Sequence, residues 1–232
     1  MEYNRLTHSF HSLIEPQQVR DVQFFHGSSS DEERVVSVSF DRSVRVWDIR
    51  KGNCIFISSP HRAEINACDT YGPNLVMTAS DDKTSILLDT RMRGQIMNVF
   101  QDHTHWVTSC ALSRDGTTAL SGSTDGTVRL YDLRNLKAIS TFRDHTDGVL
   151  SCAFSLDRRV IVTACSDGGV RVYHVETGEL LRTCGVANRL ENSHLETIMN
   201  TKHEHTGTLE GHLGEVSTCC AHSKDRIVSG SY

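Results

Sequence analysis

The clearest stretch of hydrophobic and polar patterning lies in the middle of the chain. Val107-Thr-Ser-Cys-Ala-Leu112 reads as a strand, and Arg114-Asp-Gly-Thr117 as the turn that follows it. Thr118-Ala-Leu-Ser121 is a second strand, Thr124-Asp-Gly126 a tight turn, and Thr127-Val-Arg-Leu-Tyr131 a third strand. Ala138-Ile-Ser-Thr-Phe142 is a fourth. Short runs rich in β-branched and aromatic residues, separated by Asp-Gly turns, predict antiparallel hairpins.

The same pattern recurs. Ser37-Val-Ser-Phe-Asp-Arg-Ser-Val-Arg-Val-Trp47-Asp48 aligns with Thr78-Ala-Ser-Asp-Asp-Lys-Thr-Ser-Ile-Leu-Leu88-Asp89. Both align with Ser121-Gly-Ser-Thr-Asp-Gly-Thr-Val-Arg-Leu-Tyr131-Asp132 and Thr163-Ala-Cys-Ser-Asp-Gly-Gly-Val-Arg-Val-Tyr173-His174. The turn aspartates Asp41, Asp82, Asp125 and Asp167 are spaced 41, 43 and 42 residues apart. Histidines His61, His103, His145 and His212 mark the approach to each unit, with spacings of 42, 42 and 67. A repeat of about 40–45 residues with this pattern resembles the WD-repeat β-propeller family. The likeness covers residues 15–183 and resumes at 209–232. Trp47-Asp48 is the one literal Trp-Asp, and Gly211-His212 the one literal Gly-His. Leu88-Asp89, Tyr131-Asp132 and Tyr173-His174 depart from the pattern.

The resemblance implies an all-β propeller of four-stranded blades. Blades are expected at 15–58, 59–101, 102–143 and 144–183, and a partial fifth at 209–232. Residues 184–208 form an insertion, and 1–14 are expected to supply an outer strand that closes the ring. The fifth blade has two strands of four, giving four and a half blades where seven usually close the ring. Seven blades plus the insertion would need roughly 320 residues. The simplest expectation is a fragment or short form of a longer protein, with Met1 a true start. Within the insertion, Ser193-His-Leu-Glu196 resembles a helix-capping box, followed by Ile198 and Met199.

Each unit offers a histidine, a hydroxyl, an aspartate and an aromatic. In the third blade they are His103, Ser121, Asp125 and Tyr131, and in the fourth His145, Thr163, Asp167 and Tyr173. The second blade has His61, Thr78 and Asp82, with Leu88 in place of the aromatic, so its network should be shorter. The first has Ser37, Asp41 and Trp47, with Glu15 near the histidine register. These residue types also make up a Ser/His/Asp triad. A triad is needed once, at one cleft, whereas this set recurs in every unit. In WD-repeat proteins such residues tie the hairpins together, and the resemblance implies that structural role here.

Cys68, Cys110, Cys152 and Cys219 each follow the first apolar residue of their unit by three positions. They are one packing position repeated, and free cysteine packs as a small hydrophobe. Cys165 sits in a strand and fits the same role. There is no C-x-x-C pair, and eight thiols without a pairing pattern fit a reducing compartment. His194, His203 and His205 match no standard zinc spacing. No phosphate-binding glycine motif is present. No cofactor, metal or catalytic residue is therefore expected.

Composition narrows the function classes. Hydrophobic residues make up 38% and charged residues 23% of the 232, enough apolar material for a sizeable core. The formal net charge of -5 argues against nucleic acid, which calls for a basic patch. No apolar run approaches the roughly 18 residues needed to span a bilayer, and residues 1–10 do not read as a signal peptide. A cytoplasmic or nuclear, non-catalytic scaffold binding proteins or peptides is expected. Three units end in Asp-x-Arg: Asp48-Ile-Arg50, Asp89-Thr-Arg91 and Asp132-Leu-Arg134. This is similar to the W-D-x-R motif of substrate receptors of cullin-type ubiquitin ligases, where the arginines face an adaptor. Asp48-Ile-Arg-Lys-Gly-Asn-Cys54, Glu64-Ile-Asn-Ala67 and Ser80-Asp-Asp82 also resemble heterotrimeric G-protein β subunits. Residues 1–14 show no long helix of the kind that would pair with a γ subunit.

Overall fold

A computed structural model describes residues 18–25, 34–92, 95–185, 216–223 and 226–231, the last two segments as backbone strands. Glu15, the strand expected within 1–14, the helix expected in the insertion and His212 lie outside these residues.

Four meanders of four antiparallel strands follow one another along the chain. The first holds β1 (Val19–Phe24), β2 (Arg34–Ser39), β3 (Val44–Asp48) and β4 (Asn53–Ser58). The second holds β5 (Ile65–Tyr71), β6 (Leu75–Ser80), β7 (Ser85–Asp89) and β8 (Gln95–Phe100), with a 3-10 turn at Thr90–Met92. The third holds β9 (Val107–Leu112), β10 (Thr118–Ser123), β11 (Val128–Asp132) and β12 (Lys137–Phe142). The fourth holds β13 (Val149–Phe154), β14 (Val160–Cys165), β15 (Val170–His174) and β16 (Leu180–Cys184). Cys184 thus closes a strand, where the sequence placed it at the start of the insertion. A two-stranded sheet, β17 (Val216–Ser223) with β18 (Arg226–Ser231), follows.

The blades share one register. The first residue of the second strand faces the last residue of the third in every case: Arg34 with Asp48, Leu75 with Asp89, Thr118 with Asp132, Val160 with His174. A bulge recurs beside the same third-strand position in each blade, held by Trp47, Leu88, Tyr131 and Tyr173. A bulge sharpens local twist, so repeating it gives each blade the same twisted shape. The turn after the second strand needs a residue in the left-handed region. Gly126 and Gly168 adopt it at φ 77° and 82°, while Arg42 and Lys83 hold the same position at φ 67° and 71°. A side chain there costs on the order of 1 kcal/mol.

Blades pack face to face, with innermost strand beside innermost strand. Val36, Val38, Val44 and Val46 of the first blade meet Ile65, Val76, Ile86 and Leu88 of the second. Met77, Ala79, Leu87 and Phe100 meet Val107, Cys110, Ala119 and Tyr131. Leu120, Val128, Leu130 and Phe142 meet Val149, Cys152, Ile161 and Tyr173. Middle strands are therefore covered on both faces, which is why β7 reads Ser-Ile-Leu-Leu-Asp and is buried throughout. The approach is close enough to demand glycine once within a strand: a Cβ on Gly122 would lie 2.9 Å from Val149 Cγ1.

Innermost strands also exchange side-chain hydrogen bonds across blades. The Cys68 amide donates to Asp21 Oδ2 (2.9 Å) and the Leu112 amide to Asp69 Oδ2 (2.7 Å). Thr70 Oγ1 donates to the Phe24 carbonyl (2.7 Å), and Thr108 Oγ1 to that of Val149 (2.6 Å). These bonds give the blade interfaces direction that apolar packing alone lacks.

Candidate functional site

The repeated polar residues come together differently in different blades. In the third, His103 Nδ1 lies 3.0 Å from Asp125 Oδ2, and Nε2 lies 2.7 Å from Ser121 Oγ. A carboxylate only accepts, so Nδ1 carries a proton. In the neutral ring, Ser121 then donates to Nε2 and accepts from the Tyr131 hydroxyl at 3.1 Å. Asp125 also accepts from the Thr104 amide (2.9 Å) and from Thr127 Oγ1 (2.6 Å). Burial would raise its pKa, but the bonds from His103 and Thr127 outweigh that and hold it well below the usual carboxylate range.

The second blade repeats this around His61, with Asp82 at 2.9 Å and Thr78 at 2.7 Å. Leu88 offers no hydroxyl, and Thr78 Oγ1 lies 3.3 Å from the Ile86 carbonyl. The fourth blade departs. His145 Nε2 still meets Thr163 Oγ1 at 2.8 Å, but buried Nδ1 has no hydrogen-bond partner among the described residues. Asp167 is taken instead by Arg171, with contacts of 3.2 and 2.6 Å to its two oxygens. The fourth blade thus brings its four residues together differently from the third. Gly169 stands where Thr84 and Thr127 bridge aspartate and histidine, so the bridging hydroxyl is missing. The first blade pairs its aspartate similarly, Arg45 reaching Asp41 at 3.1 Å, and Trp47 Nε1 donates to Ser37 Oγ at 2.8 Å.

Buried thiols line up along the inner strands. Burial pushes the Cys68 and Cys110 pKa well up, with Asp21 or Asp69 adding to the shift, so both are held as thiols. No cluster of three or more metal-ligating side chains occurs among the described residues. No helix among them is long and apolar enough to cross a membrane.

Besides its outermost strands, which are largely exposed, the array presents turns and loops at two ends. Strand alternation puts the turns after third strands at one end. There Arg50, Arg91 and Arg134 stand exposed at matching positions. Their aspartates cap the turns: Asp48 accepts from the Lys51 amide (3.0 Å), Asp89 from the Arg91 amide (2.9 Å), Asp132 from the Arg134 amide (2.8 Å). The Arg91 side chain also folds back onto Asp89 at 2.6 Å.

The opposite end carries the turns after second strands and the loops entering each blade. A cavity of about 660 Å³ opens there, lined by Phe40, Asp41, Arg42, Glu64, Asp81 and Trp106. Trp106 is 49% exposed. Its carbonyl accepts from the Thr124 amide (3.0 Å), as Glu64 does from Asp81 and Gly148 from Ser166. The sequence did not single out Trp106. The signal was its departure from the repeat, an indole where the other blades have Glu64 and Gly148.

The family model described as WD domain, G-beta repeat matches residues 7–48, 94–132 and 136–174. It leaves out most of the second blade, whose third strand ends in Leu88-Asp89. The chain is 34% identical over 46% of its length to the U5 small nuclear ribonucleoprotein 40 kDa protein of Dictyostelium discoideum, covering 30% of that protein. It is 35% identical over 46% of its length to WD repeat-containing protein 37 of Homo sapiens, covering 22% of it. A guanine nucleotide-binding protein subunit beta of Arabidopsis thaliana is 30% identical over 45% of this chain and 30% of its own length. The chain thus spans less than a third of the curated relatives it matches. Repeated register, blade topology and family match together place this chain in the WD-repeat family.

Proposed function

We propose that this chain is a non-catalytic scaffold that binds other proteins or peptides, with no cofactor and no nucleic-acid partner, in the cytoplasm or nucleus. The observation that carries this reading is the recurrence of the His–hydroxyl pair. His61, His103 and His145 are each 5–8% exposed, and Thr78, Ser121 and Thr163 are fully covered. A nucleophile in that position has no access to a substrate, and a hydrogen-bonded set used in successive blades serves their shape. The test pairs two assays on the purified chain. Saturable binding of a protein or peptide partner, with no hydrolysis of ester or amide substrates, is expected. Hydrolysis abolished by Ser121→Ala would overturn the reading.

A second reading rests on the aligned arginines. Arg50, Arg91 and Arg134 at one rim suit a substrate receptor that docks on a ubiquitin-ligase adaptor, since a guanidinium fork makes a strong interface anchor. Adaptor binding lost in Arg50→Ala/Arg134→Ala would support it, and binding undiminished in that variant would remove it. A G-protein β-like role, suggested by the Arabidopsis relative, predicts instead the capture of a γ-like helix.

A further inference from the structure

We propose that the cavity beside Trp106 is a subsite for a lysine or arginine side chain of a partner peptide; the proposal rests on the peptide-binding reading above. Turns from three blades build the cavity: Arg42 from the first, Glu64 and Asp81 from the second, Trp106 from the third.

The carboxylates there are not equally committed. Asp41 is engaged by Arg45 (3.1 Å) and by the Ser43 amide (2.8 Å). Asp81 Oδ1 accepts from Asn66 Nδ2 at 2.6 Å, and its second oxygen takes no bond from a described residue. Glu64 is exposed, and its carboxylate pairs with no described residue. Against these two stands Arg42, also without an ion pair among the described residues, so the lining carries an excess of negative charge.

Trp106 gives that charge an apolar wall. Thr124 holds its backbone through two contacts, amide and hydroxyl, at 3.0 and 3.3 Å. The His105 ring lies 4.9 Å from the indole and is itself 2.5 Å from Thr124 Oγ1. The indole is therefore held out half-exposed by a tethered loop, which lowers the ordering cost of binding. A cationic head at Glu64 and Asp81, with its alkyl stem along the indole, satisfies both features of the lining. Arg42, also in the lining, can donate to a carbonyl or acidic group of a neighbouring peptide residue. An acidic or purely apolar side chain would leave Glu64 and Asp81 facing it unpaired.

The test uses a synthetic library of random decapeptides over the immobilised 232-residue chain, followed by affinity measurement on the selected peptides. Enrichment of lysine and arginine, with affinity about tenfold weaker for Glu64→Gln and for Trp106→Ala, is the expected result. Both residues are exposed, so an unchanged unfolding midpoint would show that the variants remain folded. Peptides that bind without basic enrichment, or that bind both variants undiminished, would overturn the subsite while leaving the scaffold reading intact. Capture of no peptide at all would overturn the peptide-binding reading, and the subsite with it.

Discussion

The third and fourth blades begin from nearly the same residues and solve the same burial problem in two ways. Both have a histidine before the first strand, a hydroxyl in the second and an aspartate in the turn. Both also place a tyrosine against a phenylalanine of the preceding blade. Phe100 and Tyr131 have centroids 4.2 Å apart, and Phe142 and Tyr173 4.7 Å. In the third blade the aspartate locks the histidine. In the fourth it locks an arginine, and the histidine is left with one partner. Both blades carry an arginine four residues beyond the aspartate, so arginine alone does not decide. With Thr127 present, aspartate and histidine share a bridging hydroxyl, and Arg129 lies 3.4 Å from Thr141 instead. With Gly169 there, nothing bridges, and the guanidinium captures the carboxylate. The two blades thus differ in whether the ionised aspartate meets an imidazole or a guanidinium, and the bridging hydroxyl is present only with the imidazole.

The two blades should differ most when their aspartates are removed. Asp167→Ala leaves Arg171, whose side chain is 5% exposed, charged and uncompensated. Breaking a buried ion pair on one side costs about 3–5 kcal/mol. Asp125→Ala removes the acceptor of His103, the Thr104 amide and Thr127, so its cost is that of unsatisfied donors, about 1–3 kcal/mol. Chemical unfolding of the two variants should rank them in that order. Equal losses would mean that the arginine finds water or another acceptor, and that the two blades are alike in energy.

Acid sharpens the same contrast. Burial, with Arg171 nearby, lowers the His145 pKa from 6.5 to about 4. As pH falls through that interval the unfolded chain takes up the proton while the folded chain resists it. Stability should therefore decline between about pH 6.5 and 4, by up to about 3 kcal/mol from this residue. The aspartates act in a lower window. Asp167 is buried, which would raise it, yet Arg171 and Thr146 hold it well below the ordinary value of 3.8. Its stabilising contribution is present above that ordinary value and is lost as pH falls below it. Unfolding curves across the upper window should be flatter for His145→Gln than for the parent. Parallel curves would show that His145 is not the group that charges.

The blade pattern was legible because a two-residue alternation, an Asp-Gly turn and a regular spacing coincide. Even Leu88-Asp89, which the family model passes over, kept its place by register. The divergence in the fourth blade was harder to see. Gly169 reads as an ordinary turn glycine, and Arg171 matches Arg129 and Arg45. Only the two together in space redirect the aspartate. Trp106 escaped for the opposite reason: repeat reading looks for what recurs, and an exposed indole at a position held elsewhere by Glu64 and Gly148 is what does not. The arginines of Asp-x-Arg could be placed on one rim from strand alternation, but not the folding of Arg91 onto Asp89.

The smallest effect gives the cleanest comparison, because it changes one oxygen in each blade. Tyr131 and Tyr173 are both fully covered, occupy the same strand position and lie against equivalent phenylalanines. The Tyr131 hydroxyl reaches Ser121, ending the chain that runs through His103 to Asp125. The Tyr173 hydroxyl has no well-formed hydrogen bond among the described residues, and burial together with the Asp144 carboxylate raises its pKa. Tyr131→Phe should cost about 1 kcal/mol, the net worth of an ordinary buried hydrogen bond. Tyr173→Phe removes a buried hydroxyl that meets no partner in good hydrogen-bond geometry among the described residues, so it should be neutral or raise the unfolding midpoint slightly. Rings and packing are the same in both variants, so the difference between the midpoints isolates the hydrogen bond. A loss in Tyr173→Phe as large as in Tyr131→Phe would mean that the fourth-blade hydroxyl has a partner, such as a buried water or the carboxylate of Asp144. The two blades would then differ in where their aspartate points, but not in whether the tyrosine is tied down.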